Sequence, residues 1–376
     1  MTGRQRILNT LRGLPTDRPP VNFYEIGGFN VDPGDPSPYN VYNSPDWQPL
    51  LRLAEEKTDI MRFGIVRRTP RYPEIHRELI TSVSEDTGKS VITRTVFNIK
   101  GHPLTRTDRR DVSADTVWHT EHLLKSEEDL EAFLSLPDEL FMYDYDASPM
   151  TKQEEELGDR GVVMADGADA LAEAAVLFSM EDYTVLALTR PETFRRLLDK
   201  LQPFQLERYS AIAAQRPDTV WRLCGPEYAA PPYLPPKLFR EFVVPYDKPL
   251  TDVIHRSGGL CRLHCHGRIK EVIPYILELE PDGIDPVEPP GQGDVTLKEA
   301  GELLGDGVAL FGNIEASDIE TLQPPEFEKK VLTAVREGTD RKGGFCLQPS
   351  ASPYGRNIPP RVLENYHIML RGVGAE

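Results

Sequence analysis

From residue 160 onward, short apolar runs alternate with longer amphipathic stretches. The runs cover residues 162–166, 220–224, 260–264, 283–287, 308–312 and 344–347, and each ends on polar or small residues. Brief apolar segments bounded in this way predict buried strands. Between them, apolar positions recur at helical spacing over residues 192–214, 236–256, 269–279, 297–304, 325–338 and 360–371. Strand–helix alternation implies parallel strands joined by crossover helices, as an open doubly wound sheet or a closed barrel. No Gly-x-Gly-x-x-Gly follows any strand, which disfavours a dinucleotide-binding sheet. Polar residues gather just past the strand ends, where barrel enzymes keep their chemistry, so a (β/α)₈ TIM barrel is expected.

The upstream third is less regular. Thr2 can cap a helix over residues 4–12, with Gly13 as its stop. A Pro-rich segment at 15–38 contains Tyr24, Glu25 and the Gly27–Gly28 pair, and its aromatic content suggests that it packs on something. Residues 60–120 look β-like, and residues 125–156 look acidic and helical. There is no repeat of fixed period. The expectation is one domain spanning 1–376, an α/β barrel with an irregular N-terminal extension packed on it.

The strongest chemical signal is Leu263-His264-Cys265-His266-Gly267. Side chains alternate along a strand, so His264 and His266 share a face while Cys265 points to the helical layer. Two imidazoles at a barrel mouth can begin a metal site, and Glu288 ends the next predicted strand, about one strand spacing (~5 Å) away. The expected metal set is therefore His264, His266 and Glu288. Asp166, Glu227, Tyr228, Asn313, Glu315 and Gln348 all follow strand ends. Glu227, Asp166 and Tyr228 are the candidate catalytic groups; Tyr24, Asn313 and Gln348 are the candidate substrate-binding groups. Arg222 and Arg262 share the inward parity, and a buried guanidinium needs a carboxylate; Asp285 is the candidate partner.

Composition narrows the classes. At 39% hydrophobic and 27% charged residues, the 376-residue chain can build a core. Its formal net charge of −17 argues against nucleic acid and anionic membranes as partners. No apolar run approaches the ~20 residues that span a bilayer, and residues 1–14 lack the apolar stretch of a secretory leader. Four cysteines are too few for a disulfide framework, so free thiols and a cytoplasmic location are expected.

Several segments carry a family resemblance. They are Thr2-Gly3-Arg4-Gln5-Arg6-Ile7-Leu8, Asp17-Arg18-Pro19-Pro20-Val21, the run from Phe239 to Tyr246, the His264–Gly267 element, Gly312-Asn313-Ile314 and Leu347-Gln348-Pro349. Together they resemble the methyltransferase branch of the uroporphyrinogen decarboxylase superfamily, over nearly the whole chain. The resemblance implies a (β/α)₈ barrel, zinc-assisted methyl transfer between corrinoid proteins and thiols or else tetrapyrrole decarboxylation, and a homodimer. The methyltransferases it resembles bind zinc through His-x-Cys, a later Cys and often a Glu. His264 and Glu288 match that pattern, His266 replaces the first Cys, and the late Cys position falls at Ala351. The arginine-bearing N-terminal element of the decarboxylases is absent.

Two histidines and a carboxylate leave more positive charge on the metal than a thiolate set does. That suits a bound oxygen, and it also describes a non-haem iron site, so iron or another divalent ion stands beside zinc. The leading expectation is a metal-dependent methyltransferase or demethylase acting on a small substrate, with a separate corrinoid or thiol acceptor. A metal-free decarboxylase of a porphyrinogen-type polycarboxylate is the alternative, and it would want a wide cleft lined with arginines. From another class comes a non-catalytic barrel that binds a small molecule.

Overall fold

The computed structural model describes residues 1–376. A seven-stranded parallel sheet forms the centre. Its strands, in spatial and chain order, are Ile60–Phe63, Gly161–Ala168, Val220–Cys224, Leu260–His264, Gly283–Val287, Ala309–Ile314 and Phe345–Pro349. The eighth strand expected of a (β/α)₈ barrel is not formed as a strand. In its place, Leu347 in the last strand exchanges hydrogen bonds with Pro20 and Asn22, while Val21 accepts one from the Asp59 amide, just before the first strand. The sheet is therefore curled, and residues 20–22 touch both its edges. The N-terminal extension, expected to lie on the outside, is built into the sheet.

Alternation along the strands sorts the core into two parts. Cys261, Leu263, Ile284, Leu310, Phe345 and Leu347 join the large cluster between sheet and helices. Inside the curl lie Met61, Val162, Met164, Val220, Ala309, Phe311 and Cys346, with Ile7 and Leu11 packed against them. Those two residues come from the helix Gly3–Leu11, which starts at a capping box formed by Thr2 and Gln5. The first helix thus plugs the curl.

The outer helices follow the expected pattern closely, with Pro191–Gln215, Leu297–Leu304, Pro324–Thr339 and Pro360–Gly372 nearly as read. The long stretch at 236–256 divides into Pro236–Phe242 and Val244–Arg256. Residues 60–120 are mainly β, as read: they hold the first core strand and then an antiparallel sheet of four strands, Ile80–Asp86, Ser90–Phe97, Leu104–Asp111 and Val117–Glu121. Residues 125–156 are not wholly helical, because Tyr143–Asp146 forms a strand antiparallel to Arg67–Pro70. Its YDYD sequence alternates aromatic and acidic residues, which is strand periodicity in a context read as helix by charge. All four cysteines are free. No helix is long and apolar enough to cross a membrane.

Candidate active site

Above the apolar plug, the inward residues become ionic. Arg262 is wholly buried, with its Nε 3.2 Å from Asp285 Oδ1. Gln348, also fully buried, accepts from Arg262 at 3.3 Å and donates to Asp285 at 3.4 Å. A guanidinium at this depth is stable only because it is paired, and removing one partner of such a pair costs about 3–5 kcal/mol. Burial disfavours the Asp285 carboxylate, but Arg262 and His264 outweigh that and hold its pKa below the usual range. Arg222 lies one strand over, donating to Asp166 at 2.9 Å and to the Tyr24 hydroxyl at 2.8 Å. The expected pairing of the inward arginines is therefore found for both.

Tyr24 roofs this layer. Its backbone is left-handed at φ 58°, unusual for a residue with a side chain, and the Asn22 side chain accepts its amide at 2.7 Å. Its ring lies 6.1 Å from the His264 ring, nearly parallel at 14°. His264 is consequently sealed at 3% exposure, with Nδ1 3.2 Å from Asp285. Burial, reinforced by the charge of Arg222, pushes its pKa down to about 3, so it is neutral.

His266 differs in exposure and in the direction of its pKa shift. It lies beyond the strand end, with 36% of its side chain exposed, and its Nδ1 is 2.8 Å from Glu288 Oε1. The other Glu288 oxygen accepts from the Gly267 amide at 2.7 Å. Burial opposes a charged imidazole here, but the hydrogen bond to Glu288 and the charges of Glu288 and Glu227 outweigh it and raise the pKa. Glu227 is itself raised by burial, and one of its oxygens holds the Gly225 amide at 2.8 Å. Gly225 sits at φ 137°, where a Cβ would lie 1.8 Å from Asp169 Oδ1, so glycine lets the chain cross Asp169 and bring Glu227 to the rim. Glu315 completes the acidic side: burial and the nearby Glu288 raise it to about 7.

The predicted residues divide accordingly. His264, His266, Glu288, Asp166, Glu227 and Tyr24 gather at one end of the sheet. Gln348 belongs to the sealed ionic layer. Asn313 lines a separate cavity of about 290 Å³ with Thr296, Lys330 and Glu337. Tyr228 is half-buried against Tyr183, and its carbonyl accepts the Tyr183 hydroxyl at 2.8 Å. The candidate metal set lies together, but as two pairs, His264–Asp285 and His266–Glu288; no three His, Cys, Asp or Glu side chains are grouped to hold one ion. Cys265 faces the helical core as expected.

Sequence reading missed Asp169 and Asp247. Both are fully buried, and burial raises both. The only available signal was an acid in each of two apolar helix-start contexts.

The fold and rim define a parallel α/β protein with its polar groups collected at the C-terminal ends of a curled sheet. The chain belongs to the uroporphyrinogen decarboxylase family, whose model matches residues 119–366. Among solved structures it is similar to a methyltransferase from Methanosarcina mazei, with a TM-score of 0.60 and 15% identity, over 99% of this chain and 98% of that one. At that identity the likeness speaks to the fold. No curated protein sequence matches.

Proposed function

We propose that the chain is an enzyme that takes a methyl group from a small methylated substrate and passes it to a separate acceptor, a corrinoid protein or a thiol. His266 is the acid. The architecture is read as a (β/α)₈ barrel in which residues 20–22 act as the eighth stave. In the reaction, the bond between methyl carbon and heteroatom breaks and its electron pair stays on the heteroatom. The acceptor supplies both electrons of the new bond to carbon, and the His266 proton moves to the heteroatom. Solvent then reprotonates the exposed ring. The observation that carries this reading is His266, exposed yet oriented through Nδ1 by Glu288, with its charged form favoured. Arg222, at the base of the rim, supplies positive charge toward an anionic substrate group. No step is routed through zinc, because no three His, Cys, Asp or Glu side chains are grouped to hold one ion.

Decarboxylation would also consume a proton, which His266 could deliver to carbon as carbon dioxide leaves. Arg222 favours that reading. Against it, Arg262 is sealed and paired, and Tyr24 roofs the centre, so the multi-arginine cleft needed by a porphyrinogen is missing.

The test supplies cob(I)alamin or a small thiol with a panel of methoxy, methylamino and methylthio compounds. Transfer that falls about 10²–10⁴-fold in His266→Ala, the usual contribution of a positioned acid, supports the proposal. Dialysis against a chelator should leave the rate unchanged. A rate lost on chelation and restored by zinc would reinstate the metal set, and chelator-insensitive decarboxylation of a porphyrinogen would favour the second reading.

A further inference from the structure

A second cavity, of about 380 Å³, includes none of Arg222, His264, His266 or Glu288 in its wall. One wall is the two-stranded sheet. Arg68 is paired directly with Tyr145, and Tyr143 lies two residues from Tyr145, so these three side chains share one face. The opposite wall is a single stripe of the helix Pro191–Gln215: Leu201, Phe204, Gln205 and Arg208 follow i, i+3, i+4, i+7 spacing. Phe141 closes one side, its ring 5.4 Å from that of Phe204, and Glu173 stands at the edge.

We propose that this slot binds a planar aromatic anion. The aromatic walls suit a flat ring. Arg68 and Arg208 against Glu173 leave net positive charge, notable in a chain of net charge −17. Arg68 is stationed 5.1 Å over the Tyr143 ring, poised above the slot.

The probe is 4-hydroxybenzoate, titrated calorimetrically against the full chain. Cyclohexanecarboxylate keeps the charge without the ring, and phenol keeps the ring without the charge. Both should bind at least tenfold more weakly. Arg68→Gln should weaken 4-hydroxybenzoate at least fivefold, and Glu173→Gln should tighten it by removing the opposing charge. His266→Ala should leave it unchanged, which separates this site from the rim. Arg208 is left intact because it also donates to the Asp166 carbonyl at 2.9 Å, next to the rim. The proposal is overturned if 4-hydroxybenzoate fails to bind at millimolar concentration. Equal binding of cyclohexanecarboxylate, or indifference to both Arg68→Gln and Glu173→Gln, overturns it too.

Discussion

Replacing Glu288 by glutamine separates proton-donor chemistry from metal chemistry at the rim. The substitution keeps the shape and an acceptor for the Gly267 amide, and removes one negative charge 2.8 Å from His266 Nδ1. A hydrogen bond to a charged group contributes about 1.5–3 kcal/mol, whereas an exposed pair contributes about 0–1. The His266 and Glu288 side chains are 36% and 10% exposed, so the pair falls between these limits after discounting for solvent. An effect of about 1.4 kcal/mol, roughly tenfold, is the expectation.

The assay is kcat/KM for methyl transfer as a function of pH. The wild-type acid must be protonated, so the rate falls as pH rises through the raised pKa of His266. In Glu288→Gln the imidazolium loses its partner, and this limb moves to lower pH. Above the limb the rate is roughly tenfold lower, and acidification restores it. KM changes little, because Glu288 acts through His266. The stability linkage has the same sign: a raised histidine pKa contributes stability that is present below the unfolded value and is lost as pH rises through the folded one. If Glu288 were instead a metal ligand, activity would be lost at every pH, and acidification would deepen the loss by protonating the imidazoles. An unmoved alkaline limb refutes the proton-donor reasoning.

Two stability predictions concern buried charge. Asp285→Ala leaves Arg262 unpaired at zero exposure and should cost about 3–5 kcal/mol in urea unfolding, with much of it recovered in Arg262→Met/Asp285→Leu; a loss below about 1 kcal/mol contradicts the pairing argument. Asp247→Asn mimics the protonated member of the Asp169–Asp247 pair. Because both folded pKa values are raised, wild-type stability is lost as pH rises above the unfolded carboxyl range, and the variant should be the more stable of the two at pH 9 but not at pH 5. Identical pH dependence of the two proteins would count against a raised, protonated Asp247.

Much of the central architecture was legible because fully buried parallel strands have a simple signature. The runs at 220–224, 260–264 and 283–287 coincide with observed strands to the residue. Inward parity also revealed that Arg222 and Arg262 needed acids, since burial of a charge is a constraint independent of the neighbouring fold. What sequence could not give was contact between distant segments. Residues 20–22 carry no strand pattern, and their role between the sheet edges depends on Leu347 and Asp59, which are remote along the chain. The metal expectation rested on His264, His266 and Glu288 lying at one end of the sheet, and they do; spacing could not say that His264 sits a layer deeper or which carboxylate each ring would meet. Asn313 shows the same limit, since its position at a strand end says nothing of the cavity it lines.

The contrast between the two histidines follows from depth. They are two residues apart with the same parity, yet His264 lies in register with Asp285 and Cys224, inside the last ordered layer of the sheet. There Tyr24 excludes solvent, and Arg222 adds positive charge to the cost of burial, so its imidazole stays neutral. His266 has left the ladder, and solvent together with Glu288 and Glu227 tilts it toward the cation. A neutral, covered ring can support Asp285 and Tyr24 but cannot exchange protons with substrate. An open ring held in one orientation by a carboxylate can. On the function proposed above, the pair that looked from spacing like two equal ligands divides into one covered imidazole and one open to solvent, and proton transfer at the rim would fall to His266.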